Sequence, residues 1–214
     1  MSQFQPTPAT PDNVTKTSDV LLGFAQTFPN DRISLGDLNR ALGNRSFGIL
    51  ILALSLPNAL PVPGIPGVST MFGAAIIFVA LQMVLLRPNV WMPEKVSQAN
   101  FSRAYFLSLI EKALPYLHKL EKPLRPRLLT LTTPLAERFV GLAVILMAGL
   151  LSLPIPLGNF PPALTMCVLA IGLIERDGLF LVLGFVMTVL STIYVAFLAT
   201  AVASFVFYVL GQIF

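Results

Sequence analysis

Charge is what this chain has least of. Only 11% of its 214 residues are charged, while 55% are hydrophobic. A soluble domain carries about a quarter charged residues. So little charge cannot cover a globule with polar groups, and the composition points to an integral membrane protein. Cysteine and histidine are just as scarce. Cys167 stands alone inside an apolar run, which excludes an intramolecular disulfide and leaves zinc short of ligands. The single His118 excludes a His-based metal cluster within one chain. No Walker loop, dinucleotide fingerprint or Ser-His-acid spacing is present. No catalytic residue, metal or cofactor is expected, and the chain reads as a non-enzyme. The stretch Met1–Asp19 is polar, so no cleavable signal peptide is expected.

The few charges are unevenly placed. Residues 1–45 carry four basic and four acidic groups. Residues 87–138 carry nine basic and four acidic groups, while residues 139–214 carry only Glu175, Arg176 and Asp177. A basic segment between apolar ones fits a cytoplasmic loop beside anionic lipid. No aromatic-basic RNA module or zinc finger accompanies it, so nucleic acid is not the expected partner.

What is abundant is apolar sequence punctuated by proline. Residues 1–30 form a polar tail expected to be loosely attached, and 31–214 form the membrane domain. Ser34, with Asp37 three residues on, predicts a capped helix that stops at Gly43. Then comes Phe47–Leu86, broken by Pro57, Pro61, Pro63, Gly64, Pro66 and Gly67. Its first arm, Ser46–Leu56, would be roughly 16 Å long, about half of a ~30 Å hydrocarbon core. The second, Val68–Leu86, could cross, with Trp91 at the interface. Residues 94–127 read as an amphipathic connector whose apolar stripe includes Phe106, Ile110 and Leu117. Thr133-Pro134 reads as the cap and first position of a helix. Phe139–Ile174 is broken in turn by Pro154, Pro156, Pro161 and Pro162. Leu179–Phe214 is free of charge. It is expected to bend near Ala199–Ala203 into two segments, the alternative being one long tilted helix.

The two broken segments match each other. Arg45, Gly48, Pro61 and Pro63 correspond to Arg138, Gly141, Pro154 and Pro156 at a constant offset of 93. The expected fold is therefore all-α: two repeated units, about 33–93 and 128–178, each an amphipathic helix plus a Pro/Gly-broken membrane hairpin. A C-terminal hydrophobic helix or helix pair, 179–214, follows. Paired broken helices occur in secondary transporters. Irregular backbone survives at membrane depth only when protein or water satisfies it, so re-entrant hairpins are favoured over extramembrane turns. Because both repeats begin with basic residues, dual insertion and an antiparallel homodimer are open.

Six motifs, taken in order, resemble the exopolysaccharide synthesis ExoD family. They are L-N-R-A-L-G-N-R-S-F-G at Leu38–Gly48, L-P-V-P-G-I-P-G-V-S-T at Leu60–Thr70, L-R-P-N-V-W-M-P at Leu86–Pro93, L-E-K-P-L-R-P-R-L at Leu120–Leu128, L-P-I-P-L-G-N-F-P-P-A at Leu153–Ala163 and E-R-D-G at Glu175–Gly178. Met92 stands where leucine fits the pattern. The resemblance spans about residues 30–210 and implies a multi-pass protein of the bacterial inner membrane linked to exopolysaccharide production. It brings no catalytic mechanism.

Candidate binding residues follow from placement. Arg87 and Arg176-Asp177 adjoin apolar segments, where charge is costly unless paired or interfacial. They read as headgroup-level boundaries or as contacts to a lipid-linked sugar carrier. Arg45 and Arg138 stand before the two first arms, either snorkelling or forming a phosphate clamp. Asn58 and Asn159 each sit in a break and can satisfy the loose backbone of their own hairpin, or meet a sugar hydroxyl. The partners expected are membrane lipids and a polyprenyl-phosphate-linked saccharide. The reading is a membrane factor that binds or moves this carrier. The alternative is an accessory scaffold for a polymerase or export complex, and an enzyme acting on a lipid-linked phosphate comes third.

Overall fold

A computed structural model describes residues 32–43, 45–59, 68–102, 107–108, 133–153, 155 and 158–213. The polar tail, most of the amphipathic connector, and the break residues Pro61, Pro63, Gly64, Pro66, Gly67, Pro154 and Pro156 lie outside them. The order is β1 (Arg32–Ser34), α1 (Leu35–Leu42), α2 (Arg45–Ser55), a 3-10 turn (Leu56–Ala59), α3 (Val68–Val84), a one-turn α4 (Glu94–Ser97), β2 (Asn100–Ser102), α5 (Pro134–Leu151), α6 (Phe160–Glu175) and α7 (Gly178–Ile213). The chain is mostly helical, as expected. A short antiparallel ribbon is added to it, with Ile33 facing Phe101 across β1 and β2.

The helix starts follow local chemistry. At α1, Ser34 Oγ accepts from Asp37 N at 3.1 Å and Ser34 N donates back to Asp37 Oδ2 at 3.2 Å, a complete capping box. Burial pushes the Asp37 carboxyl up. The hydrogen bonds from Ser34 and the adjoining Arg40 guanidinium outweigh it and hold the group below its ordinary value. The helix ends at Gly43, whose φ of 55° suits a residue without Cβ. At α5, Thr133 caps and Pro134 takes the first position, where a missing N–H costs nothing. The sequence pattern groups Pro161 and Pro162 with the breaks. They lie instead in the first turn of α6 and start that helix by the same rule. Pro57 likewise sits inside the 3-10 turn.

Two expectations of length change. The first arm does not stop at Leu56, because α2 continues as the 3-10 turn to Ala59. At about 1.5 Å per α-residue and 2.0 Å per 3-10 residue it reaches about 24 Å, matching α6. Shortness therefore no longer marks it as unable to cross. The C-terminal segment is one helix of 36 residues, about 54 Å long. The favoured bend near Ala199–Ala203 is absent, because that stretch holds no proline or glycine and alanine is the best helix former.

Helices α2, α3, α5 and α6 pack as antiparallel rods, joined by close approaches at glycine. A Cβ on Gly48 in α2 would lie 2.7 Å from Ile174 Cγ1 and 3.0 Å from the Ala170 carbonyl oxygen in α6. A Cβ on Gly141 in α5 would lie 2.8 Å from Val84 Cγ2 and 3.2 Å from the Ala80 carbonyl oxygen in α3. Each first arm thus packs on the far end of the other segment's second arm. Between them lies a core of Ile51, Ile76, Val144, Met147, Met166 and Leu169. The starts of α2 and α5 share one end of the bundle with the ends of α3 and α6, the arginine end. The described break residues Asn58 and Asn159 lie at the other. Helix α7 runs antiparallel to α6, with Leu181 beside Gly172 and Leu169 beside Gly184. Val195 is its last buried side chain, and every described side chain from 200 to 212 is exposed. The helix therefore overhangs the break end. By length and apolar composition α5 and α7 could each cross a membrane.

Candidate functional site

The break end joins the two broken segments through polar side chains. The 3-10 turn carries Asn58, the first turn of α3 carries Ser69, and Asn159 precedes α6. Asn159 Nδ2 donates to Ser69 Oγ at 2.9 Å, and Ser69 Oγ donates to Asn58 Oδ1 at 2.9 Å. Beside this relay Thr70 Oγ1 donates to the Ser152 carbonyl oxygen at 3.3 Å. The far acceptor, Asn159 Oδ1, is buried and has no hydrogen-bond partner among the described residues. A buried acceptor without a donor is uncommon and calls for an explanation.

The two asparagines behave differently from each other. Asn58 Nδ2 reaches the Leu54 carbonyl oxygen of its own segment at 3.5 Å, as expected. Asn159 instead spends its amide on Ser69 in the other segment. Ser69 was not singled out as a site residue. In the structure the glycine contacts set Ala80, Met83 and Val84 beside Gly141 as Ala170, Leu173 and Ile174 stand beside Gly48, an offset of 90 that also sets Ser69 opposite Asn159 and that carries almost no identity in the sequence.

The remaining candidates gather at the arginine end. Arg45 is buried at the start of α2 and has a partner of its own, so it does not snorkel. Its counterpart Arg138 is exposed, and the two form no symmetric clamp. Arg87 is exposed beyond α3. Arg176 is exposed in a left-handed conformation at the end of α6, with φ 52°. Leu86, ninety residues earlier, ends α3 with φ 54°. Asp177 is buried and caps α7, its Oδ1 accepting from Leu179 N at 2.9 Å. Asn39 and Gln82 hold the loop after α3. Gln82 Oε1 accepts from Trp91 N at 2.6 Å and Asn39 Nδ2 donates to the Val90 carbonyl oxygen at 2.7 Å. The Trp91 ring packs edge-on to Phe78 and stays half exposed, as an interfacial tryptophan does.

The chain matches the family model described as exopolysaccharide synthesis, ExoD, over residues 17–197. It belongs to the ExoD family. It is 36% identical over 194 residues to Protein ExoD of Rhizobium meliloti, covering 89% of this chain and 80% of that protein. It is 34% identical over 180 residues to an uncharacterized protein of Synechocystis sp., covering 79% and 84% respectively. No solved structure matches it. ExoD membership implies involvement in exopolysaccharide synthesis. The matched segment holds the polar relay and all four bundle helices, and it stops within two residues of Val195, where α7 leaves the bundle.

Proposed function

We propose that this ExoD-family chain is an integral protein of the bacterial inner membrane, built of two duplicated units whose broken hairpins enter the bilayer from one side while α7 crosses it. It binds a polyprenyl-phosphate-linked saccharide and assists its passage or presentation during exopolysaccharide synthesis, without catalysing a reaction itself. The observation that carries the reading is the Asn58–Ser69–Asn159 relay with its unpartnered, buried Asn159 oxygen. Duplication is supported by the reciprocal seating of Gly48 and Gly141 and by the left-handed residues Leu86 and Arg176 at equivalent places.

Helix α7 supports a membrane-buried break end. It is charge-free from Leu179 onward and lies beside α6. At about 54 Å it exceeds the ~40–45 Å of a whole bilayer. A tilt of about 40° brings it to about 41 Å. The shorter rods tilted with it then reach only about 19 Å from the arginine end. The breaks fall inside the bilayer as re-entrant hairpins, where their prolines reduce the number of N–H groups needing partners. Arg87, Arg138 and Arg176 with the basic connector define the cytoplasmic side. That shared end favours a single orientation over dual insertion.

The accessory-scaffold reading draws on the α7 overhang, whose exposed Phe197, Phe205 and Phe207 could face a partner's helices. Purified protein in liposomes separates the two. Movement of a fluorescent polyprenyl-phosphate saccharide between leaflets, reduced in the Asn159→Leu variant, is the expected result. Absence of movement together with intact capture of a polymerase or export partner favours the scaffold. Conversion of the lipid-linked substrate to a product would mean an enzyme.

A further inference from the structure

The first turns of α5 and α7 enclose an apolar groove of about 230 Å³, lined by Ala136, Phe139, Leu181, Val182 and Phe185. Phe139 and Val182 are exposed there. The first unit shows what fills the corresponding place. The first arms correspond at an offset of 93, which sets Ser46 opposite Phe139. The second arms correspond at 90 by their glycine contacts, and the left-handed residues Leu86 and Arg176 carry that offset to their ends. Val90 and Trp91 then stand opposite Phe180 and Leu181. In the first unit α1 lies between those two places. Ser46 Oγ donates to the Asn39 carbonyl oxygen at 3.1 Å, and Asn39 Nδ2 donates to the Val90 carbonyl oxygen at 2.7 Å. In the second unit the same place is the groove.

The units differ here for a local reason. Helix α2 begins at Arg45, after the turn at Gly43. Helix α5 begins at Pro134, four residues before Arg138, and Thr133 Oγ1 caps it by accepting from Ala136 N at 3.3 Å. The counterpart of α1 is therefore the chain just before that cap. Leu35 and Leu38 of α1 align with Leu128 and Leu131 at the same offset of 93. Residues 128–132 lie outside the described ones, but the place where they end is fixed. Leu131 is two residues from Thr133, hence within about 7 Å of it. Thr133 stands about one helical turn from Ala136 in the groove wall.

We propose that residues 128–132 occupy this groove, with Leu128 and Leu131 turned into it, and cover the second unit as α1 covers the first. The docking ties the basic end of the connector, Arg125 and Arg127, to the arginine end. The inference rests on the likeness of the two units proposed above.

The test uses the full chain in nanodiscs, in a Cys167→Ser background. Leu128→Cys and Leu131→Cys are each paired with Val182→Cys and oxidised with copper phenanthroline, and disulfide-linked peptides are read by mass spectrometry. At least one pair is expected to cross-link. Pairs with Val189→Cys, two turns further along the same face of α7 and outside the groove, are expected to stay reduced. A spin label at position 182, with both leucines in place, is expected to be shielded from oxygen and from a water-soluble nickel chelate alike. Replacing both leucines by serine is expected to remove that shielding. Equal cross-linking at 182 and 189, or none at either, overturns the proposal. So does a label open to oxygen while both leucines are present, which would put an acyl chain of the bilayer in the groove. The label needs no leucine replaced, so a leucine variant that fails to fold leaves this readout intact. The likeness of the units has its own readout in the melting of Gly48→Val and Gly141→Val. If both melt below wild type while the groove pairs stay reduced, the groove assignment alone fails. If neither does, the likeness fails, and the cross-links decide the groove by themselves.

Discussion

Valine at Gly48 or Gly141 is expected to destabilise the bundle by about 1–3 kcal/mol, the scale of an overpacked contact. Glycine inside a helix is ordinarily a weakness, and alanine in its place gains about 1 kcal/mol. At these two positions the sign reverses. The nearest side-chain atoms, Ile174 Cγ1 at 2.7 Å and Val84 Cγ2 at 2.8 Å, could rotate away from a new methyl. The backbone oxygens of Ala170 at 3.0 Å and Ala80 at 3.2 Å cannot move without shifting a helix. Small residues at helix crossings are what allow close packing where no hydrophobic driving force separates protein from lipid. Gly149 is the internal control. It lies in the same helix as Gly141, and a Cβ there meets nothing within 4 Å. Gly149→Ala is expected to leave the unfolding temperature unchanged or raise it, while Gly48→Val and Gly141→Val lower it. Three equal melting curves in detergent would mean that the two crossings are not packed as described.

The second large effect separates structure from binding at the relay. Ser69→Ala removes the hydroxyl that serves both asparagines and leaves Asn58 Oδ1 and Asn159 Nδ2 without it. An unsatisfied group costs about 1–3 kcal/mol when fully buried and less at these half-buried amides, so this variant is expected to lose some stability and polysaccharide output together. Ser69→Thr retains the hydroxyl and should keep most of both. Asn159→Leu is the sharper variant. It removes one hydrogen bond and also removes an oxygen that is buried without a partner. Those two changes oppose each other, so the melting temperature is expected to move little. Secreted exopolysaccharide in a deletion strain carrying this variant is nonetheless expected to fall at least tenfold, the effect of losing one well-placed polar contact. Lost stability with normal output would make Asn159 a structural residue.

Much of the architecture can be read from residues that act locally. Ser34 with Asp37, Thr133 with Pro134, and Asp177 before Leu179 each cap a helix through bonds within three residues. The proline clusters separate α2 from α3 and α5 from α6 because a missing donor needs no tertiary context, although Pro161 and Pro162 themselves start α6. What escaped depends on distance along the chain. Pairing of Arg32–Ser34 with Asn100–Ser102 joins segments nearly seventy residues apart, with no strand period long enough to register. Burial of Arg45 depends on how α2 docks against α6. The unbroken run of α7 is not legible from length, which alone suggests a bend, although no residue between Ala199 and Ala203 supplies one. At the candidate site, Asn58 and Asn159 stood out as polar residues in apolar breaks. Ser69 did not, because hydroxyls are common at helix starts and only the packing brings it between the two amides.

The proposed depth in the membrane puts the arginine end at the cytoplasmic interface, the breaks inside the bilayer and α7 fully across. Single cysteines in a Cys167→Ser background, probed with a membrane-impermeant thiol reagent in intact cells and opened vesicles, test it most directly. Glu94→Cys is expected to label only after opening and Gln212→Cys from outside. Asn58→Cys and Asn159→Cys should resist the reagent in both preparations. Rapid labelling of Asn58→Cys and Asn159→Cys in intact cells would rule out this depth and make the breaks ordinary external turns.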